Sequence, residues 1–351
     1  MLDGDTLKLD SSDMLGKIAG TPDQLRTGFD LGREAWKPLA GLKPSALVVA
    51  GMGGSAMGGD LLRSYALKQS KIPVTVSRGY SLPGFVDSDA LVVVSSYSGN
   101  TEEALACLGD AIDRNATIAG ITSGGELLAA ADRHSMPCVR LPEGYPPRAA
   151  LGYSFGALLA LAGPVGLCET PDQDLAECID TLRNLNKTYG QGESCDNRAL
   201  AIAGELLDKT PLIYCSDQLS AVGLRWKNQF CENSKKLAFL GLQPEMSHND
   251  IMGWEIDDES IKGGVIILRM RGEHPRISPR FAFLEDRIRE HGAFCGEFWG
   301  VGSSLLTQVF SLILLGDYAS VYLALMRGVD PTPIATIDGL KVRIGKEGTE
   351  Q

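Results

Sequence analysis

Histidine is scarce in this chain: four occur in 351 residues, at His134, His248, His274 and His291. No H-x-H or H-E-x-x-H pattern is present, so the usual spacing of zinc ligands is missing, and no metal is expected. The eight cysteines (Cys107, Cys138, Cys168, Cys178, Cys195, Cys215, Cys231, Cys295) are scattered without a C-x-x-C pair. In a chain of this size they read as reduced packing thiols, not as a disulfide framework. Basic charge is also short. Thirty-three Lys and Arg against 44 Asp and Glu give a formal net charge of -11, which argues against nucleic acid or an anionic membrane as main partner. A small anionic substrate stays open, because a local group of amides and cations can outweigh the global sign. Long unbroken apolar runs are absent as well. Leu151–Leu167 is interrupted by Gly152, Gly156, Gly163 and Pro164, and Val301–Met326 carries Gln308 and Asp317. Both read as buried helices and not as membrane spans. The N-terminal "MLDGDTLKLDSSDML" lacks a basic stretch followed by an apolar core, so no signal peptide is expected and a cytoplasmic location follows.

What is present is a 44% hydrophobic, glycine-rich composition with 41 glycines, fitting two α/β domains of ordinary size. "SALVVAG" (Ser45–Gly51) is apolar without alternation, as a strand is when helices cover both its faces. Strands at Ile72–Ser77, Ala90–Ser95, Thr117–Thr122 and Pro137–Arg140 alternate with helices at Gly58–Lys68, Glu102–Arg114 and Glu126–Arg133. A helix opens before them at Thr21-Pro22, with the threonine as N-cap, and runs through Trp36. The alternation resumes with strands at Thr210–Ser216, Val265–Met270 and Ala293–Phe298. The helices between and after them are Leu219–Lys235, Pro279–His291 and Ser303–Arg327. The expected fold is two doubly wound, mainly parallel sheets flanked by helices. Residues 1–165 form the first domain, 166–199 a helical connector and 200–351 the second domain.

Ligands of open parallel sheets bind where strand ends feed helix N-termini. Two loops occupy that position. "GMGGSAMGG" (Gly51–Gly59) offers close backbone approach at Gly54 and a hydroxyl at Ser55. "SSYSGNTEE" (Ser95–Glu103) offers Ser96, Ser98 and Thr101, the last also a candidate N-cap. The first loop lacks the P-loop lysine. It fits a loose G-x-G-x-x-A, but no acid ends the following strand, so a dinucleotide site is disfavoured and no cofactor is expected.

Together the two loops resemble the sugar isomerase (SIS) domain, a phosphosugar-binding fold. "PPRAALGYSFGALL", "RWKNQFCENSK", "PEMSHNDIMGWE" and "DPTPIATIDGLK" narrow the resemblance to the bifunctional phosphoglucose/phosphomannose isomerases, a branch of the phosphoglucose isomerase superfamily. The likeness runs from about residue 15 to 345. It implies an aldose–ketose isomerase of hexose 6-phosphates whose phosphate lies against Gly54, Ser55, Ser96, Ser98 and Thr101. It implies Glu232 as base, Arg148 beside the reacting carbons, and Lys341 as the lysine assisting at the ring oxygen. His248 is implied as the ring-opening group, reaching the site from the neighbouring subunit of a homodimer. Thr332 and Ile334 lie in the region on which substrate preference depends.

Each residue also has a plainer reading. Glu232 could pair at the surface with Lys235 or Lys236, three and four residues on. Arg148 could be a solvated cation after Pro146-Pro147, and Lys341 a terminal surface lysine. "RMRGEHPRISPR" (Arg269–Arg280) reads as a solvated face. The competing functions are an isomerase of another phosphosugar and a catalytically silent phosphosugar sensor. Glu232, His248 and Lys341 together speak against the sensor.

Overall fold

The computed structural model describes residues 2, 4–169, 171–191, 196–255 and 262–347. Within them the apolar runs become two wholly parallel sheets. The first contains β1 (Leu47–Ala50), β2 (Val74–Ser77), β3 (Leu91–Ser95), β4 (Thr117–Thr122) and β5 (Cys138–Arg140), in the order β2-β1-β3-β4-β5. The second contains β6 (Thr210–Ser216), β7 (Phe239–Gln243), β8 (Gly263–Arg269) and β9 (Phe294–Trp299), in the order β7-β6-β8-β9. Both sheets begin on one plan, reversing direction between β1 and β3 and between β6 and β8. Such reversals open a crevice at the carboxyl ends of the strands. β7 is the strand that the apolar pattern did not announce. It carries Gly241 and Gln243 and lies at a sheet edge, where a continuous apolar run is not required.

Helices α1 (Gly4–Leu7), α2 (Met14–Ala19) and α3 (Thr21–Ala35) precede β1, and α4 (Gly53–Ala66), α5 (Glu102–Asp113) and α6 (Gly125–His134) follow β1, β3 and β4. Thr21 is the first residue of α3 and Gly20 takes the N-cap position, so the expected hydroxyl cap is not made. Between the sheets run α7 (Leu151–Ala162), α8 (Asp172–Tyr189) and α9 (Arg198–Glu205). Then α10 (Ser220–Glu232), α11 (Ile277–Glu290) and α12 (Leu305–Met326) follow β6, β8 and β9, and α13 (Ala335–Glu347) ends the described chain.

The burial explains the unalternating strands. Leu47, Val49, Leu91 and Val93 enter the largest core, whereas Val48, Ala50, Val92 and Val94 pack against Ala104, Cys107 and Leu127 of α5 and α6. The second sheet divides in the same way. Ile213, Ile266 and Leu268 join the large core, and Tyr214, Val265 and Ile267 face Phe281, Leu284 and Ile288 of α11. The large core is thus one helical layer shared by both sheets, drawing on α3, α4, α7, α8, α10 and α12. Burial on both faces of a strand favours apolar residues at successive positions, which removes the alternation.

α12 is buried all round, as its composition requires. Its start is tied to α8 by Glu177, whose carboxylate accepts from the Ser303 amide (2.6 Å), the Ser303 hydroxyl (2.8 Å) and the Ser304 amide (3.0 Å). Those bonds, led by the Ser303 amide, lower the Glu177 pKa from 4.5 to about 2. A depressed carboxylate pKa contributes stability above the unfolded value, and the contribution is lost as pH falls through the folded one. Glu177→Gln is therefore expected to cost about 1 kcal/mol at neutral pH. The difference from wild type should shrink between pH 4.5 and about 2. Urea midpoints of both proteins across that range measure it, and a difference that stays constant with pH would refute the assignment.

Candidate active site

The cradle expected for an anion forms at the first reversal, where the loops after β1 and β3 meet. The Tyr97 amide donates to Ser55 Oγ (3.1 Å), joining the two loops, and the Gly99 amide donates to Ser96 Oγ (3.1 Å). Ser55 and Ser96 are buried, Thr101 is half-buried and Ser98 is exposed. Gly99 has φ 72°, and a Cβ there would lie 1.8 Å from the Gly124 carbonyl oxygen, so only glycine fits this turn. Thr101 departs from expectation. It holds the N-cap position of α5, but its side chain makes no capping bond and its Oγ1 lies 2.9 Å from Ser96 Oγ. α4, started by Met52, has no side-chain cap either. Two helix starts thus turn their first-turn amides to the same crevice with no side-chain cap of their own, an arrangement that suits phosphate.

Gly54 links this cradle to the next group. A Cβ on Gly54 would lie 2.8 Å from the Pro147 carbonyl oxygen and 3.1 Å from the Arg148 amide nitrogen. The Pro147–Ala149 turn therefore packs directly on the first loop, and it carries Arg148. The solvated-cation reading of Arg148 is overturned: the residue is only 3% exposed. Its Nε donates to Asn233 Oδ1 (2.7 Å), and Nη2 donates to the carbonyls of Pro331 and Thr332 (2.8 Å each). Its Nη1 lies 3.5 Å from Glu232 Oε2. Burial lowers the Arg148 pKa, and the Glu232 charge opposes that shift. The surface-pair reading of Glu232 falls too. Lys235 Nζ donates to the main-chain carbonyls of Glu232 (2.5 Å) and Pro331 (3.1 Å), and Lys236 Nζ reaches the carbonyls of Leu206 and Leu207. Lys235 itself has φ 51°, a left-handed residue closing α10. Glu232 faces a cleft of about 480 Å³ between the end of α10 and the start of α13, lined also by Cys231, Leu237, Pro333 and Ile337.

His248 and Lys341 are not brought to this point. α10 returns against the strands and ends at Glu232, ahead of β7, which begins at Phe239. His248 follows the far end of β7 and is exposed. The four residue steps of β7 alone span roughly 13 Å. Lys341 is exposed on α13, whose residues up to Ile344 are all exposed.

In the Arg269–Arg280 run, Arg271 and Arg276 are exposed as expected, but the first arginine is not. Arg269 is 3% exposed, and its guanidinium pairs with Glu273 (2.8 Å) and Glu297 (2.5 Å). Ser216 Oγ donates to Glu273 (3.2 Å). The carboxyl edge of the second sheet is thus filled by its own ion pairs, while that of the first sheet keeps its hydroxyls toward the crevice. Cys195 lies outside the described residues; the other seven cysteines are free thiols. Among the described residues no three His, Cys, Asp or Glu side chains gather in a metal-binding group.

Sequence reasoning missed the residues behind Arg148. Arg225 Nη2 donates to the Arg148 carbonyl (2.9 Å) and pairs with Asp317 (2.6 Å), which also accepts from Gln229 Nε2 (3.0 Å). Burial raises the Asp317 pKa against the opposing charge of Arg225. One signal was available: an aspartate inside the apolar run Val301–Met326 requires a buried partner. Thr332 was noticed only by region. Its Oγ1 is buried and has no hydrogen-bond partner.

Comparison with known proteins places this geometry. Residues 195–344 match the family model described as bacterial phospho-glucose isomerase C-terminal SIS domain. A bifunctional phosphoglucose/phosphomannose isomerase of Caldicellulosiruptor bescii is 38% identical over 338 residues, covering 95% of this chain and 99% of the relative. The protein of that name from Aquifex aeolicus is 33% identical, covering 89% and 94%. In fold, the chain is similar to a hypothetical protein from Thermus thermophilus solved by crystallography. The TM-score is 0.75 at 18% identity, with 97% of this chain and 93% of that one covered. By sequence along nearly its whole length, the chain belongs to the bifunctional phosphoglucose/phosphomannose isomerase family.

Proposed function

We propose that this protein interconverts glucose 6-phosphate and mannose 6-phosphate with fructose 6-phosphate through a cis-enediolate. The observation that carries the reading is the pairing of Glu232 with the buried Arg148 guanidinium, on a turn packed against the phosphate cradle. The cradle anchors the phosphate with Ser55, Ser96, Ser98, Thr101 and the amides around Gly54. Binding energy remote from the chemistry then fixes C1 and C2. Glu232 takes the proton from one carbon and returns it to the other. The Nη1 edge of Arg148 stabilises the enediolate oxygens as charge develops.

Ring opening needs a group that passes a proton to the ring oxygen, a role an imidazole can fill, and the family motif gives it to His248. Because His248 is exposed after β7 and does not line the Glu232 cleft, the reading requires a homodimer in which one subunit supplies His248 to the other. Lys341 assists at the ring oxygen once α13 is seated in that dimer. The reaction draws on no metal or cofactor and takes place in the cytoplasm.

Coupled assays on glucose, mannose and fructose 6-phosphates, with and without EDTA, test this. Turnover of all three without EDTA sensitivity is the expected result. Binding without turnover would leave a sensor, turnover of only an amino-sugar or pentose phosphate would reassign the substrate, and loss with EDTA would overturn the metal-free reaction.

A further inference from the structure

We infer that Asn233 is a positioning residue that orients Arg148 so that a single edge of its guanidinium faces the substrate. The inference rests on the role proposed above for Arg148. A guanidinium has five N–H donors in a fixed plane. Three of them are taken: Nε by Asn233 Oδ1, and both protons of Nη2 by the carbonyls of Pro331 and Thr332. Only the two Nη1 protons remain, on the side of Glu232. The two carbonyls hold the guanidinium at Nη2 alone. The Asn233 contact holds it at a second atom, Nε, and so fixes its in-plane direction.

The orientation of the Asn233 amide is itself dictated. Ser320 Oγ has one proton and donates it to the Asp317 carbonyl (2.7 Å), so toward Asn233 it can only accept. Asn233 must therefore turn Nδ2 to Ser320 (2.9 Å) and Oδ1 to Arg148. Asn233 is fully buried, with no water to replace either bond. It also directly follows Glu232 at the end of α10, so one helix end carries the proposed base and sets the direction of the cation opposite it. The Arg148 main chain is tied to the same turn of α12, because Arg225 bridges its carbonyl to Asp317. Both the backbone and the side chain of Arg148 are thereby referred to the Asp317–Ser320 turn.

The test compares Asn233→Leu, Asn233→Asp and Ser320→Ala with wild type, using fructose 6-phosphate from limiting to saturating concentration and a thermal melt of each protein. Leucine keeps the branched shape of the side chain but removes the acceptor. It is expected to lower kcat about 100-fold while KM stays within about threefold, since the phosphate cradle is untouched. Aspartate restores the acceptor toward Nε and should recover at least about tenfold of that loss. Ser320→Ala releases the amide and should lower kcat by about fivefold, again without a matching change in KM. If Asn233→Leu fails to fold, the other two variants decide. Asn233→Leu within threefold of wild type, Asn233→Asp as impaired as leucine, or losses confined to KM would each overturn the positioning role. Absence of turnover in wild type would overturn the isomerase reading itself, a result separate from any of these.

Discussion

Glu232→Gln is expected to lower kcat for hexose 6-phosphate isomerisation by about a thousandfold while leaving KM within about twofold. The amide keeps the size of the side chain but cannot carry a proton between carbons. Arg148 stays in place without the carboxylate, because its Nε and Nη2 donors are held by Asn233, Pro331 and Thr332. The phosphate cradle belongs to the first sheet and is untouched. Steady-state kinetics together with a melting curve separate loss of chemistry from loss of fold. Near-full activity in the variant would remove Glu232 from the reaction, and a KM rise matching the kcat loss would make it a binding group instead.

Mixing two inactive proteins should restore activity. Glu232→Gln and His248→Ala subunits, unfolded together and refolded at equal concentration, form mixed dimers in half of the population. In each mixed dimer one site combines an intact Glu232 with an intact His248 from its neighbour, so the mixture should reach about a quarter of wild-type activity. The prediction follows from the placement of Glu232 before β7 and of the exposed His248 after it. A mixture no more active than its components would show that His248 does not cross an interface into this site.

The plan of the molecule is legible along the chain because its strands are buried on both faces. Val48 and Val49 point in opposite directions and both meet hydrocarbon, so the apolar run is continuous. β7 lacked that signature, being an edge strand. The anion loops were legible for a similar reason. Glycines and hydroxyls between a strand and a helix have few other uses, though the Thr101 cap proved to be a bond to Ser96 instead.

The residues governing Arg148 could not be read in this way. Asn233, Arg225, Asp317 and Ser320 are ordinary polar residues, separated by up to 172 positions from the arginine they hold. Their effect arises from donor and acceptor direction, which a linear pattern does not carry. By itself the sequence determined two parallel sheets, the two loops suited to a phosphate and the family motifs around Arg148, Glu232, His248 and Lys341. Tertiary structure alone decided that Arg148 is buried with one edge free, that the second sheet closes its own crevice with Arg269, and that His248 stays out of the Glu232 cleft. Periodicity and loop chemistry are local properties of a chain, whereas hydrogen-bond direction and the edge of a sheet exist only after distant segments have packed.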